Sequence, residues 1–531
     1  MLARIRLFDA AFLTALLREF RASMRGLLTD LCRDLAGNYE EAVSALRLPL
    51  DYFELVGDSL KPEAYANWKV VGWIEELNDL LYFIDLREQC RRERTASGRA
   101  EFARAFLVEC RDQFFEHGYA DELFPNGEPE PDRLERRIAH LCARLARQVT
   151  QESLWLAPGL PCRWLAGGKS AAARWTVPCD LRPSFERAEL PGSIYVGLDG
   201  AYLRLPAEVR RRLASARDGA AFVIRPDAIG LRLGRLVVPL IERGDRVVWK
   251  WPIVPPVVLR PADVRWPNGL TLGASLIYRK DARKGLIPRR VSPTPAVLGE
   301  RIRAALDVIE RAWPEGARNL GLLTSRIVPL RAGGIVSFSY RHRPGLSFIN
   351  TFDRDDFELI DDLIHEDSHH HLNLLLRKYE MRRGDHNQEV FYSPWRRSLR
   401  PLHGILHATF TFTMGALLFE RLASWAAASP TRRVAASGPK ADMLRAQFRC
   451  LEEVASVRYS IQDLRHAADR LGWLSTSGAS LVRTLEGEIR KAHRRVEPVR
   501  GQVLRSRYGA ELRRHLRTLE QARATYPLPR A

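Results

Sequence analysis

The chain has 531 residues, 46% of them hydrophobic and 28% charged, with a formal net charge of +19 and a pI of about 10. That composition excludes a disordered or fibrous chain and supplies apolar mass for roughly two to four domains. The positive charge is mostly arginine and is spread along the chain with no basic tail, which makes nucleic acid an unlikely partner and suits an acidic peptide equally well.

In chain order, the N-terminal stretch MLARIRLFDAAFLTALLREFRASMRGLL is amphipathic and Arg-punctuated. It has neither a continuous apolar core nor a small-residue cleavage site, so no secretory signal is expected. Leu7, Phe8, Phe12, Leu16 and Leu17 read as the buried stripe of a first helix. No run of about eighteen apolar residues occurs, so no membrane span is expected. The cysteines are Cys32, Cys90, Cys110, Cys142, Cys162, Cys179 and Cys450. Their odd number and the absence of C-x-x-C spacing argue against a disulfide framework and a cysteine zinc site, and fit a cytoplasmic protein.

Residues 1–155 read as a helical region, clearest over 67–90 and 131–155, with a Pro- and Gly-rich loop at 124–132. Residues 156–294 read as β-rich: short runs such as SIYVGL, AAFVIRP and ASLIY are bounded by Pro, Gly or Asp, with one helix over 207–216. The Pro-rich WKWPIVPPVVLRP within it is an edge or a linker. The position and edge strands of this region make it the candidate for recognising the leader of a peptide substrate. Residues 295–531 form the third region. It opens with an amphipathic helix at 295–313, followed by three short strands within 326–350 that turn at Gly333-Gly334 and Pro344-Gly345. A polar, aromatic loop covers 381–403, helices cover 402–428, 441–471 and 479–506, and 429–441 reads as a link. The expected fold is therefore mainly α with a small β component (α+β), with strands directly before a metal-binding helix as in zincin-like domains.

That helix carries His365, Glu366 and His369, an H-E-x-x-H motif. Four residues is about one helical turn, so both imidazoles project from one face and can chelate a transition metal. Glu366 is placed to act on a metal-bound water or to support the site. Phe357, Ile360, Ile364, Leu372 and Leu375 recur at helical spacing, and Asp353, Asp355 and Asp356 lie near the N-terminus, where the helix dipole favours anions. A third protein ligand must come from elsewhere, and Glu380, His386, Glu389, His403 and His407 are the candidates. His403 and His407 stand one turn apart on the next helix, so either can face the motif.

Around the motif stand Ser337-Phe338-Ser339, Pro344-Gly345, Tyr392-Ser393-Pro394-Trp395-Arg396 and Arg400-Pro401-Leu402-His403-Gly404-Ile405-Leu406-His407. With these residues the chain resembles the HExxH-motif peptide-modification family of ribosomal-peptide (RiPP) gene clusters. The resemblance is firm over about 330–410, weaker through the later helices, and absent from 1–290. It departs from the pattern at Asp367 and Ser368, usually small and apolar, and in the run His369-His370-His371. It implies a non-haem Fe(II), 2-oxoglutarate-dependent oxygenase that hydroxylates the Cβ of a ribosomally made precursor peptide; the chain's positive charge suits an acidic leader on that peptide. It also implies His407 as third ligand and places Arg396 and Arg400 at the family's arginines. The distal carboxylate of 2-oxoglutarate needs a cation, best a bidentate arginine, and Tyr392 and Ser393 are candidates to line that pocket. Trp395 reads as a lining residue or a loop anchor. His370 and His371 are expected off the ligand face, on the helix surface or behind the ligands. Imidazole suits Zn(II) as well as Fe(II), so a zinc metallopeptidase with Glu366 as general base is the alternative.

Overall fold

A computed structural model describes residues 5–112, 119–124, 127, 131–154, 156, 175–179, 189–215, 220–225, 228–243, 247–279, 288–384, 387–428 and 439–529. Most of the expected link at 429–441, most of the loop at 124–132, and His386 lie outside them, while 439–441 belong to a helix. The chain divides into two compact units, one of Arg21–Pro256 and one of Met1–Phe20 with Val257–Ala531.

The Arg21–Pro256 unit holds the helices Trp68–Arg92 and Pro131–Glu152 and an antiparallel five-stranded sheet. Its strands run in the order Trp175–Cys179, Ala220–Ile224, Ala228–Leu233, Leu236–Arg243 and Val247–Trp249. Alternation along these strands drives Phe222, Leu231 and Leu240 into one core with Ile194 and Leu203. Asn67 caps the Trp68–Arg92 helix by accepting from the Lys69 N–H. The predicted helix over 207–216 is present as Ala207–Ser215.

The second unit is built on a seven-stranded sheet. Its strands are β1 (Val257–Arg260), β2 (Leu270–Leu272), β3 (Ser275–Ile277), β4 (Arg290–Ser292), β5 (Arg326–Arg331), β6 (Phe338–Ser339) and β7 (Leu346–Asn350). β5 pairs in parallel with β2, β3 and β7, and β6 closes the edge antiparallel to β7. The boundary expected at 294 therefore moves to Val257, because β1 to β4 pair into the sheet that β5 and β7 complete. Short strands of similar texture do not announce which sheet they will join. Both expected turns are present, with Gly334 and Gly345 at φ of 77° and 82°. At Gly345 a Cβ would also stand 2.9 Å from the Leu323 carbonyl oxygen, so the position excludes a side chain twice over.

Helices α1 (Ala296–Ala312) and α2 (Pro314–Leu323) precede β5, and α3 (Asp356–Lys378) follows β7. A hairpin, β8 (Phe391–Ser393) with β9 (Ser398–Arg400), stands where an irregular loop is predicted, since three-residue strands leave no readable periodicity. Helices α4 (Leu402–Ala427), α5 (Pro439–Asp469), α6 (Thr476–Val496) and α7 (Gly509–Thr525) complete the unit. Among the described helices α4 is the one long and apolar enough to cross a membrane, but 72% of its apolar window is buried, and it packs as a core helix against α3, α5 and α6. At the N-terminus, Leu7 and Phe8 precede the first helix rather than join it. Asp9 caps that helix by accepting from the Phe12 N–H, and Phe8 packs edge-on against Trp313. Cys32, Cys90, Cys110, Cys142 and Cys450 are buried free thiols.

Candidate metal centre

The metal-binding motif sits in the middle of α3, and local chemistry fixes where that helix begins. Asp355 accepts from the Glu358 N–H at 2.9 Å and Glu358 accepts from the Asp355 N–H at 3.0 Å, a reciprocal capping box. Phe357, Ile360, Ile364, Leu372 and Leu375 are all buried, as their spacing predicts. α3 packs on β7 and β6 on one side and on α1, α2 and α4 on others, so most of its circumference is covered. His365 and His369 are the exceptions in the stretch from Leu363 to Leu375, each half-buried while their neighbours are buried. The helix thus opens to its surroundings at the two imidazoles.

Ligand atoms of His365, Glu366 and His369 lie within 4.8 Å of one another. The two rings stand 5.0 Å apart, nearly edge to face. His407, on the first turns of α4, brings its ring to 6.2 Å from that of His369 and is half-buried. The other third-ligand candidates among the described residues, Glu380, Glu389 and His403, are exposed. A first-row ion binds imidazole nitrogen at about 2.1 Å, and three imidazoles drawn from two adjacent helices suit such an ion. Burial holds His365 below the ordinary imidazole range, with the Asp361 carboxylate opposing and the Arg396 guanidinium reinforcing. Burial pushes His407 down to about 4, with His403, Arg341 and Arg382 adding to the effect. A neutral imidazole is the form that donates a lone pair to a metal, so the donor set fits the group.

The remaining histidines of the run have other employment. His370 accepts from the Gly345 N–H at 3.3 Å and meets the Ser347 hydroxyl at 3.1 Å, tying α3 to β7. His371 packs edge-on against Phe410 of α4. Both are buried and pushed down to about 3 by that burial, so neither lies on the helix surface. Asp367 turns toward the end of α2, where the Thr324 hydroxyl donates to it at 2.8 Å. Burial pushes its carboxyl up to about 7.

The hairpin brings its turn to the imidazole pair. Ser393 is buried, and its hydroxyl accepts from the Arg396 N–H at 3.3 Å, so it shapes the turn. Arg396 is exposed, and its charge reaches His365. Arg400 is exposed and lies along the first turn of α4, with its Nε 3.5 Å from where a Cβ on Gly404 would stand. Tyr392, the other expected lining residue, is buried. It stacks on Tyr526 at 5.4 Å and joins the apolar cluster of Tyr459, Leu519 and Ala522. Trp395 stacks flat on Phe412, which meets the His365 ring edge-on at 5.1 Å. Phe412 and the residue that holds the indole, Glu453, carry no motif signal. Glu453 lies on α5, far from the motif in sequence, and its role follows only from the packing of α5 on α4.

No protein-family model matches the chain, and no curated protein matches it. The arrangement of side chains thus defines a class, a candidate metal centre on an α+β unit, and the functional reading rests on those residues.

Proposed function

We propose that the unit carrying α3 is a non-haem Fe(II), 2-oxoglutarate-dependent oxygenase that hydroxylates the Cβ of side chains in a ribosomally made peptide. The observation that carries this reading is the close imidazole pair His365 and His369 on α3, with the His407 ring of α4 6.2 Å from that of His369 and the Arg396 charge acting on His365. Three protein ligands on one face leave positions for a chelating cosubstrate and O₂. Iron(II), when bound, supplies the oxidising chemistry: 2-oxoglutarate and O₂ become succinate and CO₂ as a C–H bond becomes C–OH. The chain's own residues hold and orient. Burial holds His365 and His407 toward the neutral form, and Arg396 offers a cation to the distal carboxylate. Arg400 remains the second candidate for that clamp. The sheet supports a zincin-like reading, since its antiparallel edge strand β6 and the neighbouring β7 both pack on α3. The proposal sets the protein in the cytoplasm, where its precursor peptide is made.

A second reading, zinc-dependent peptide hydrolysis, is favoured by the proximity of a Glu366 carboxylate oxygen to both imidazoles. Glu366 would then act as general base on a zinc-bound water. The two readings separate by metal and cosubstrate: Fe(II) with 2-oxoglutarate consumption against Zn(II) with peptide-bond cleavage.

A further inference from the structure

The hairpin tip beside the imidazole pair is tied to α5. The Trp395 indole N–H donates to Glu453 Oε2 at 2.9 Å, and Arg449 Nη2 donates to Glu453 Oε1 at 3.1 Å. The same Nη2 lies 3.4 Å from Asp361 Oδ2. Asp361 precedes His365 by one turn of α3, and its charge acts on that imidazole. The indole lies on Phe412 with ring centroids 4.2 Å apart and planes 7° from parallel. Phe412 in turn meets His365 at 63°. One chain of contacts therefore runs Glu453–Trp395–Phe412–His365, and another returns from Glu453 through Arg449 to Asp361 on the same helix.

Glu453 is 4% exposed, and an apolar residue of similar volume would fill the space at lower desolvation cost. What the carboxylate adds is direction. The torsion that sets an imidazole ring plane is broad and roughly two-fold, so a metal ligand needs outside contacts to aim its lone pair. For His365 one such contact is Phe412, beside the His369 ring, and the indole stacks flat on Phe412.

We propose that Glu453 is a positioning residue for the metal centre: it fixes the Trp395 indole, which sets the His365 ring through Phe412 and sets Arg396 through the adjoining backbone. This rests on the metal-binding reading given above.

The test uses the full chain with Co(II) as probe. Visible absorption reports ligand geometry, chelator competition reports affinity, and circular dichroism reports folding. Glu453→Ala and Trp395→Phe each remove the indole–carboxylate bond and are expected to weaken Co(II) binding by about 10–100-fold, the range for lost outer-shell partners. Both are expected to alter the Co(II) spectrum in the same way, and the double variant to be no worse than either single one. Phe412→Leu breaks the contact with His365 and should behave alike. Glu453→Gln keeps an acceptor for the indole and should recover most of the affinity. Should Glu453→Ala fail to fold, Trp395→Phe and Glu453→Gln carry the test. Unchanged affinity and spectrum in folded Trp395→Phe and Phe412→Leu would overturn the inference, as would additive losses in the double variant. A parent protein that binds no Co(II) would overturn the metal reading itself, and the inference with it.

Discussion

His407 sets its imidazole 6.2 Å from that of His369, although the two belong to different helices. The packing of α4 on α3 makes this approach, and the proposal takes His407 as third ligand beside the His365, Glu366 and His369 group. Glu380, Glu389 and His403 are exposed. His407→Ala should therefore lose metal, while His403→Ala, Glu380→Ala and Glu389→Ala should keep most of it. Metal content after dialysis checks this. A silent His407→Ala with metal loss in Glu389→Ala would move the site toward a glutamate-ligated protease.

His365→Ala and His369→Ala should each abolish stoichiometric metal binding. Two remaining protein ligands hold a divalent ion weakly, and the other imidazoles of the run, His370 and His371, are engaged with β7 and α4. Elemental analysis of the purified variants is the check. Retention of stoichiometric metal in both would place the site elsewhere.

Arg396 and Arg400 should separate. The charge of Arg396 reaches His365, whereas Arg400 lies along the start of α4. If the carboxylate becomes buried against its arginine on binding, losing that partner costs on the order of 2–5 kcal/mol. Arg396→Ala should raise the 2-oxoglutarate requirement by tens-fold or more with metal affinity nearly unchanged, and Arg400→Ala should do less. Titration of 2-oxoglutarate in both variants decides, and parent-like curves in both would put the clamp outside the hairpin.

Glu453 should leave a mark on stability in the metal-free protein. Burial, opposed by Arg449 and Trp395, pushes its carboxyl up from an ordinary 4.5 to about 7. A carboxyl with a raised folded-state value contributes stability that is fully present below about pH 4.5 and is lost as pH rises through about 7. Relative to Glu453→Gln, which cannot ionise, the parent should lose on the order of 3 kcal/mol across that window and change little above it. Urea unfolding of both proteins at a series of pH values measures the difference. A flat difference, or one that grows with pH, would contradict the placement of this group.

Much of α3 is legible in the sequence because every level agrees there. The capping residues Asp355 and Glu358, the apolar spacing and the i, i+4 histidines all specify one helix. The burial of His370 and His371 is not legible, because amphipathic spacing assumes one covered face while α3 is covered on several sides. The strands β1 to β4 are readable as strands but not as partners of β5, since pairing across the chain leaves no local trace. The same holds for Glu453, whose link to Trp395 exists only once α5 packs beside the hairpin.

The chemistry proposed for His365, His369 and His407 is oxygen insertion at Fe(II). The most direct measurement supplies the protein with Fe(II), O₂, 2-oxoglutarate and a ribosomal precursor peptide, and follows succinate and peptide mass together. Succinate should form in dependence on 2-oxoglutarate and the peptide should gain about 16 Da, the mass of one inserted oxygen, as an open coordination face used for O₂ chemistry would give. Both should vanish in His365→Ala. Peptide cleavage supported by Zn(II), with no dependence on 2-oxoglutarate, would contradict it.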